Sequence, residues 1–293
     1  MPMLRRLRAV LLGALGVTLV AALWDLYKAF GPEQGVLVGE RTLILPRSTD
    51  LAMPHTWEMV QRLFEPATGL QGAPTAFEAV LDASGFTLEI AARGWLGGVI
   101  FGLLLALLMT RFKIAESGLL PWVVLSQTVP LIAIAPLVRR WGAQIEFGSF
   151  TWENEHSVAL IAAYLAFFPV AIGALRGLKS PARTHVELMH TYGVGWWRTL
   201  ITLRLPASVP FLLPALRLAA ASAVIGSVVA EVSIGLRGGI GRMVVEYAQS
   251  AGGDPAKAWA PIFGAVAVGL VAAGAVGLLT LALRPFRLTE TSR

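Results

Sequence analysis

The stretch SPARTHVELMHTYGVGWWRTLITLRLPASVPFLLPALRLAA, Ser180 to Ala220, decides how this chain is read. Its first part is polar and basic, with Arg183, His185, Glu187, His190, Arg198 and Arg204, and it turns apolar after Leu205-Pro206. It lies between two long hydrophobic runs. A connection of about 30 residues, cationic and rich in helix formers, is longer than a turn between neighbouring helices requires. It reads as a docking surface on the cytoplasmic side, where loops of membrane proteins concentrate Lys and Arg. Gly193 is placed to end a short helix in the left-handed conformation. Pro206 cannot continue a preceding helix unbroken and is placed to open the next one.

The rest of the chain sets the class. Of its 293 residues 56% are hydrophobic and 14% charged, where a soluble domain carries about 25% charged residues. Several apolar runs approach the roughly 20 residues a helix needs to cross a bilayer. The fold class is therefore an all-α integral membrane protein. There is no cysteine, which excludes disulfides and thiolate metal sites. The net charge of +6 comes from basic residues clustered at span ends, so the expected partner is the lipid bilayer and not nucleic acid.

Six spans are expected. The first is the run from Leu7 to Leu23, following the basic start Arg5-Arg6-Leu7-Arg8; it is read as retained, with Trp24 and Tyr27 at the outer interface. The segment 25–86 is polar and proline-bearing, with a surface helix at Thr56 to Phe64 whose Trp57, Val60 and Phe64 share a side. The second span, Thr87 to Met109, carries Gly94, Gly97, Gly98 and Gly102, small residues that let helices approach, and Glu89 and Arg93 four apart, able to pair. The third, Leu119 to Val138, holds Ser126-Gln127-Thr128-Val129-Pro130 and Pro136. Prolines there free carbonyls that need partners or line a cavity. The fourth is Ser157 to Leu175, the fifth Phe211 to Val229, and the sixth Trp259 to Leu283. The loop from Gly142 to His156 reads as solvated. Glu153, Glu155 and His156 within it are too few and too mobile for a metal site.

The opening stretch also carries a motif. Glu187-Leu188-Met189, then Gly193, then Leu203-Arg204-Leu205-Pro206 resembles the EAA loop of bacterial ABC-importer permeases: a Glu-Ala-Ala start, a Gly four residues after the second Ala, and a late Ile-x-Leu-Pro. Glu187, Gly193, Leu205 and Pro206 match; Leu188 and Met189 stand for the alanines and Leu203 for the Ile. Leu45-Pro46, Pro54 and the helix at Trp57, the Pro130 and Ala135-Pro136-Leu137 pattern, and Ala230-Glu231 ahead of Gly239-Ile240-Gly241 resemble the branch that carries sulfonates, taurine, nitrate, thiamine precursors or riboflavin-like compounds.

The resemblance implies a six-span type I ABC-importer permease-like helical bundle: an N-terminal span (1–24), an extracytoplasmic segment (25–86), a core (87–283) with a coupling loop (180–208), and a tail (284–293). It implies ATP-binding cassette subunits seated on that loop, a second permease chain, and an extracytoplasmic substrate-binding protein. No cofactor is expected on this chain, with ATP-Mg in the partner ATPase. Thirteen Lys and Arg fall on the side of the termini and the Glu187 loop, against Glu116, Glu187 and Glu290. That asymmetry orients both termini to the cytoplasm of a bacterial inner membrane, although Arg139-Arg140 run against it. No Walker sequence, nucleophile set or paired carboxylates appear, so the chain is not read as an enzyme. Polar groups near span depth, Gln127, Thr128, Ser222, Ser227 and Glu231, are the candidates for the translocation path. An ATP-independent secondary transporter or a membrane scaffold are the alternatives; the first would predict an internal repeat, and none is evident.

Overall fold

In the computed structural model, which describes residues 2–38 and 42–282, the first, second, fourth and fifth apolar runs lie in helices longer than the runs themselves. The reason is geometric: polar residues at either end continue a helix once it has started, because each adds a backbone hydrogen bond at no nucleation cost. The elements are α1 (Pro2–Phe30), β1 (Val36–Val38), β2 (Thr42–Leu45), α2 (Thr56–Gln61), α3 (Ala76–Arg111), α4 (Lys113–Ser126), α5 (Leu131–Gly142), β3 (Glu146–Phe147), β4 (Phe150–Thr151), α6 (Asn154–Leu178), α7 (Arg183–Thr191), α8 (Trp196–Thr199), α9 (Leu205–Ile234), α10 (Ile240–Ser250) and α11 (Ala260–Ala282). Leu283 and the tail 284–293 lie outside the described residues.

Among the described residues five stretches are long and apolar enough to cross a bilayer: Leu11–Phe30, Ala76–Arg111, Asn154–Leu178, Trp196–Ile234 and Lys257–Leu278. The expected third span departs from a straight rod. It is two helices, α4 and α5, bent by 103° at a break of four residues, Gln127 to Pro130. Pro130 has no N–H to give the carbonyl of Ser126. That carbonyl accepts instead from the hydroxyl of Tyr164 on α6. The Ser126 hydroxyl folds back onto Val123 O (2.7 Å) and that of Thr128 onto Leu125 O (2.8 Å). Three carbonyls at the break, those of Val123, Leu125 and Ser126, thus accept from side-chain hydroxyls, as freed backbone groups at membrane depth must find partners.

The chain divides into two compact units, Met1–Leu81 with Val244–Phe263, and Asp82–Met243 with Gly264–Arg293. In the first, α1 runs through Phe30 and its last turns are tied to the polar segment that follows. Trp24 Nε1 donates to Pro54 O (3.0 Å), Tyr27 Oη to Pro46 O (2.7 Å), and Lys28 Nζ to Ser48 O (3.1 Å). Trp24 and Tyr27, expected at an interface, are clamps on residues 46–54. Helix α2 exposes Trp57 and Val60, and Phe64 beyond it, and buries Met59. That agrees with the amphipathic surface helix expected there. Arg62 Nε meets Asp254 at 2.5 Å.

In the second unit α6 is the central rod. Its Ala162, Ala166, Val170, Ala174 and Leu178 are buried in successive layers against α3 and α9. Small residues set the spacing. A Cβ built on Gly98 would fall 2.6 Å from Ala166 Cβ and 2.8 Å from Ala163 O; one on Gly102 would fall 2.7 Å from Phe167 O. Gly94 faces Ala162 in the same way, whereas Gly97 has ordinary room, 3.5 Å from Ala163. Three of the four glycines thus form one contact row, and further along α6 Gly173 and Gly177 receive Ala215 and Ser208 of α9. The outward faces of α3 and α11 are apolar, with Leu96, Ile100, Leu104, Val266, Leu270 and Leu278 exposed, as lipid-facing surfaces are. Arg93 bonds Glu89 (3.2 Å), the pair expected from sequence, and also Glu155 at the start of α6 (3.0 Å). Glu153 and His156 form a capping box at the start of α6, and no group of three metal-ligating side chains occurs among the described residues.

Candidate functional site

Helix α6 ends at Leu178 and α9 begins at Leu205, and the two ends are held together. Ser180 Oγ donates to Gly177 O (2.8 Å) and to Ala207 O (3.2 Å). Gly177 lies against Ser208, where a Cβ would meet backbone at 2.9 Å. Arg204 adds a third tie, from its guanidinium to Leu178 O (3.2 Å). The residues between are therefore a closed excursion whose root is rigid, so a push on the excursion is delivered to α6 and α9 together.

The excursion opens with α7, nine residues long, none of them buried. An isolated helix shorter than about 12–15 residues is marginal in water, so local devices hold it. Arg183 Nε donates to Glu187 Oε1 at 2.7 Å. At the far end Val194 N–H bonds Met189 O (2.9 Å) and Gly193 N–H bonds His190 O (2.9 Å), with Gly193 at φ +68°. This is a Schellman closure, in which Met189 takes part through its carbonyl. Gly195 then starts α8, and Leu200–Arg204, including Leu203, is a π-helical segment running directly into α9. Pro206 sits in the first turn of α9 as its chemistry requires. The chain before it does not break, however. In the π segment the Leu205 N–H bonds Leu200 O, five residues back, and Trp196–Ile234 is helical throughout. Leu188, Tyr192, Trp197 and Ile201 leave half or more of their surfaces exposed. These are the large apolar side chains that this otherwise polar loop displays.

The five path candidates do not converge on one point. Gln127 and Thr128 lie on the α4–α5 break, and Ser222 is half-buried on α9. Ser227 is fully buried with an unpartnered hydroxyl. Glu231 is also fully buried, and its carboxyl accepts from Thr87 Oγ1 (2.8 Å) and Gly241 N–H (2.7 Å). Thr87 in turn accepts from Ile240 N–H (2.9 Å). A side chain from α9 and one from α3 thus take up the first N–H groups of α10, which α10 itself cannot satisfy. Gly239 and Gly241 are the residues that let this backbone reach the carboxyl. Gly235, at φ +74°, ends α9, and Arg139 of α5 donates to Ile234 O at 2.9 Å. Arg139, the residue that ran against the charge asymmetry, is thus the cap of a helix C-terminus.

Sequence reasoning did not find Thr87, Tyr164, Ser180 or Arg139 as site residues. Only Arg139 gave a signal, as a cation on the side with fewer of them.

Comparison with known proteins places these features in a context. A family model described as "binding-protein-dependent transport system inner membrane component" matches residues 98–285, which contain the whole excursion and the Glu231 turn. The formylaminopyrimidine transport permease protein ThiX of Halalkalibacterium halodurans is 33% identical over 205 residues, covering 69% of this chain and 76% of that protein. The riboflavin transport system permease protein RibX of Chloroflexus aurantiacus is 31% identical over 129 residues, 44% of each chain.

Proposed function

The chain belongs to the family of binding-protein-dependent transport system inner membrane components, and on that premise we propose that it forms the membrane path of an ATP-driven importer and takes its drive through the Glu187–Pro206 loop. It is a membrane-spanning transport component, not an enzyme. Two ATP-binding subunits cover the loops of two permease chains, with ATP-Mg held by those subunits and no cofactor on this one. Their closure on ATP brings the loops together, and because each loop is rooted jointly in α6 and α9, the spans rock with it. A binding protein on the opposite side then delivers solute to a cavity between the two chains. Gln127 and Thr128 at the helix break, with Ser222, Ser227 and Glu231 along α9, are the groups assigned to that path. The solute is a small organic or anionic compound, in keeping with the formylaminopyrimidine and riboflavin named for two relatives. Both termini face the cytoplasm of a bacterial inner membrane, a placement that the basic asymmetry supports.

The observation that carries this reading is the excursion itself: rigid at its root, unburied along α7, and apolar on its outward face. The test is co-purification with ATP-binding cassette subunits from the same cell. Gly193→Pro, which cannot take a positive φ, and Glu187→Lys, which reverses the Arg183 pair, are expected to insert normally and to lose the ATPase. Retention of the ATPase by both variants would overturn the assignment.

A further inference from the structure

Beneath the root of the excursion lies a cavity of about 650 Å³ lined by four cations, Lys113, Lys179, Arg183 and Arg204, and one acid, Glu116. Glu116 is paired with Lys179 and Arg183 with Glu187. Lys113 and Arg204 have no carboxyl partner among the described residues. The Nε of Arg204 is closed off from solvent and has no acceptor, while another nitrogen of the same guanidinium donates to Leu178 O. The cavity therefore presents unbalanced positive charge at a fixed place.

A second cavity of about 650 Å³ shares Glu116 and Lys179 with the first. It is a groove on the membrane-spanning helices, walled by Leu120 and Val124 of α4, Phe168, Ile172 and Leu175 of α6, and Phe211 of α9. A free inorganic anion has no use for such a groove, and an acidic protein loop would fill only the cationic part. One class of molecule carries a negative head joined directly to hydrocarbon. We propose that the chain holds an anionic phospholipid here, its phosphate among Lys113, Lys179 and Arg204 and an acyl chain along the α4–α6 groove. Pro181, Arg183 and Val186 at the base of α7 line the same cavity, so the headgroup ties the root of the coupling excursion to α4. The choice of the cytoplasmic leaflet rests on the orientation proposed above; the site itself does not.

The experiment uses the assembled transporter in nanodiscs of phosphatidylcholine with a minor share of phosphatidylglycerol, read by native mass spectrometry and by cross-linking with a phosphatidylglycerol that carries a photoreactive acyl chain. One phosphatidylglycerol is expected to stay with each permease chain, with cross-links in α4 and α6. A cation near a membrane surface is worth about 1 kcal/mol, or about fivefold in affinity. Lys113→Gln should therefore weaken retention about fivefold, Lys113→Gln with Arg204→Gln about 25-fold, and Lys113→Arg hardly at all. Lys113 is exposed, so the single variant reports on binding even where the double variant fails to fold. Retention unchanged by Lys113→Gln, displacement of the lipid by millimolar inorganic phosphate, or groove cross-links to a second protein chain in place of lipid would each overturn the proposal. The native chain has no cysteine, so Lys113→Cys can be labelled with an impermeant maleimide. Labelling from the side opposite the ATPase, with retention still dependent on Lys113, would refute the orientation and leave the lipid site standing.

Discussion

Replacing Gly98 by alanine isolates the contact on which the α3–α6 packing depends. Alanine is the better helix former by about 1 kcal/mol, so in an unobstructed place the change stabilises. At Gly98 the new methyl would lie 2.6 Å from Ala166 Cβ, 2.8 Å from Ala163 O and 3.0 Å from Phe167 N. Carbon atoms rest about 3.5–4.0 Å apart, so the methyl is about 1 Å too close. Two of the three obstructing atoms are backbone and cannot rotate aside. Helix α3 must back away from α6, and the neighbouring contacts at Gly94 and Gly102 open with it. Overpacking of this kind costs about 1–3 kcal/mol, and an obstruction by backbone belongs in the upper part of that range. After the propensity gain, a net loss of about 1–2 kcal/mol is expected. Gly85 is the control: it lies in the same helix, and nothing stands within 4 Å of its added Cβ. Gly85→Ala should gain up to about 1 kcal/mol. The assay is reversible unfolding of the purified chain by sodium dodecyl sulfate titrated into mild-detergent micelles, followed by helical circular dichroism. If Gly98→Ala proves as stable as Gly85→Ala, the close approach of α3 and α6 is wrong.

Glu231→Ala strands Thr87 and the Gly241 N–H in a dry site, and a loss of about 1–3 kcal/mol for each unsatisfied group should appear as a lower unfolding midpoint. Glu231→Gln should be milder than the alanine change, because its amide oxygen still accepts one of the two bonds; equal midpoints for the two variants would deny the carboxyl its capping role. Tyr164→Phe removes the donor to the Ser126 carbonyl and should cost about 1–3 kcal/mol, with cysteine pairs introduced across the α4–α5 break reporting a changed bend; an unaltered bend and midpoint would refute the assigned hydrogen bond. Gly193→Ala places a Cβ at φ +68°, a penalty of about 1–2 kcal/mol confined to α7, so it should depress solute-stimulated ATP hydrolysis by the complex while leaving the midpoint of the spans in place.

The amino-acid sequence by itself determined the features that depend on near neighbours: helical spans from apolar runs, the Glu89–Arg93 pair four residues apart, the left-handed stop at Gly193, and Pro206 in the first turn of α9. These are settled by backbone sterics and by contacts one helical turn away, which a linear pattern displays. The sharpness of the break in the third span was not legible in this way. Pro130 announces a freed carbonyl, but neither the 103° bend nor the partner that takes up the Ser126 carbonyl, Tyr164, 38 residues away, can be read from a local pattern. The unbroken run through Leu200–Arg204 is likewise a product of packing, since Leu200 is buried beneath it. Only the tertiary structure joined Thr87 to Glu231 across 144 residues, closed the excursion through Ser180 and Ala207, and set four cations above an apolar groove. A polar or charged side chain in a membrane protein takes its meaning from the partner that satisfies it, and that partner is chosen by how the helices pack.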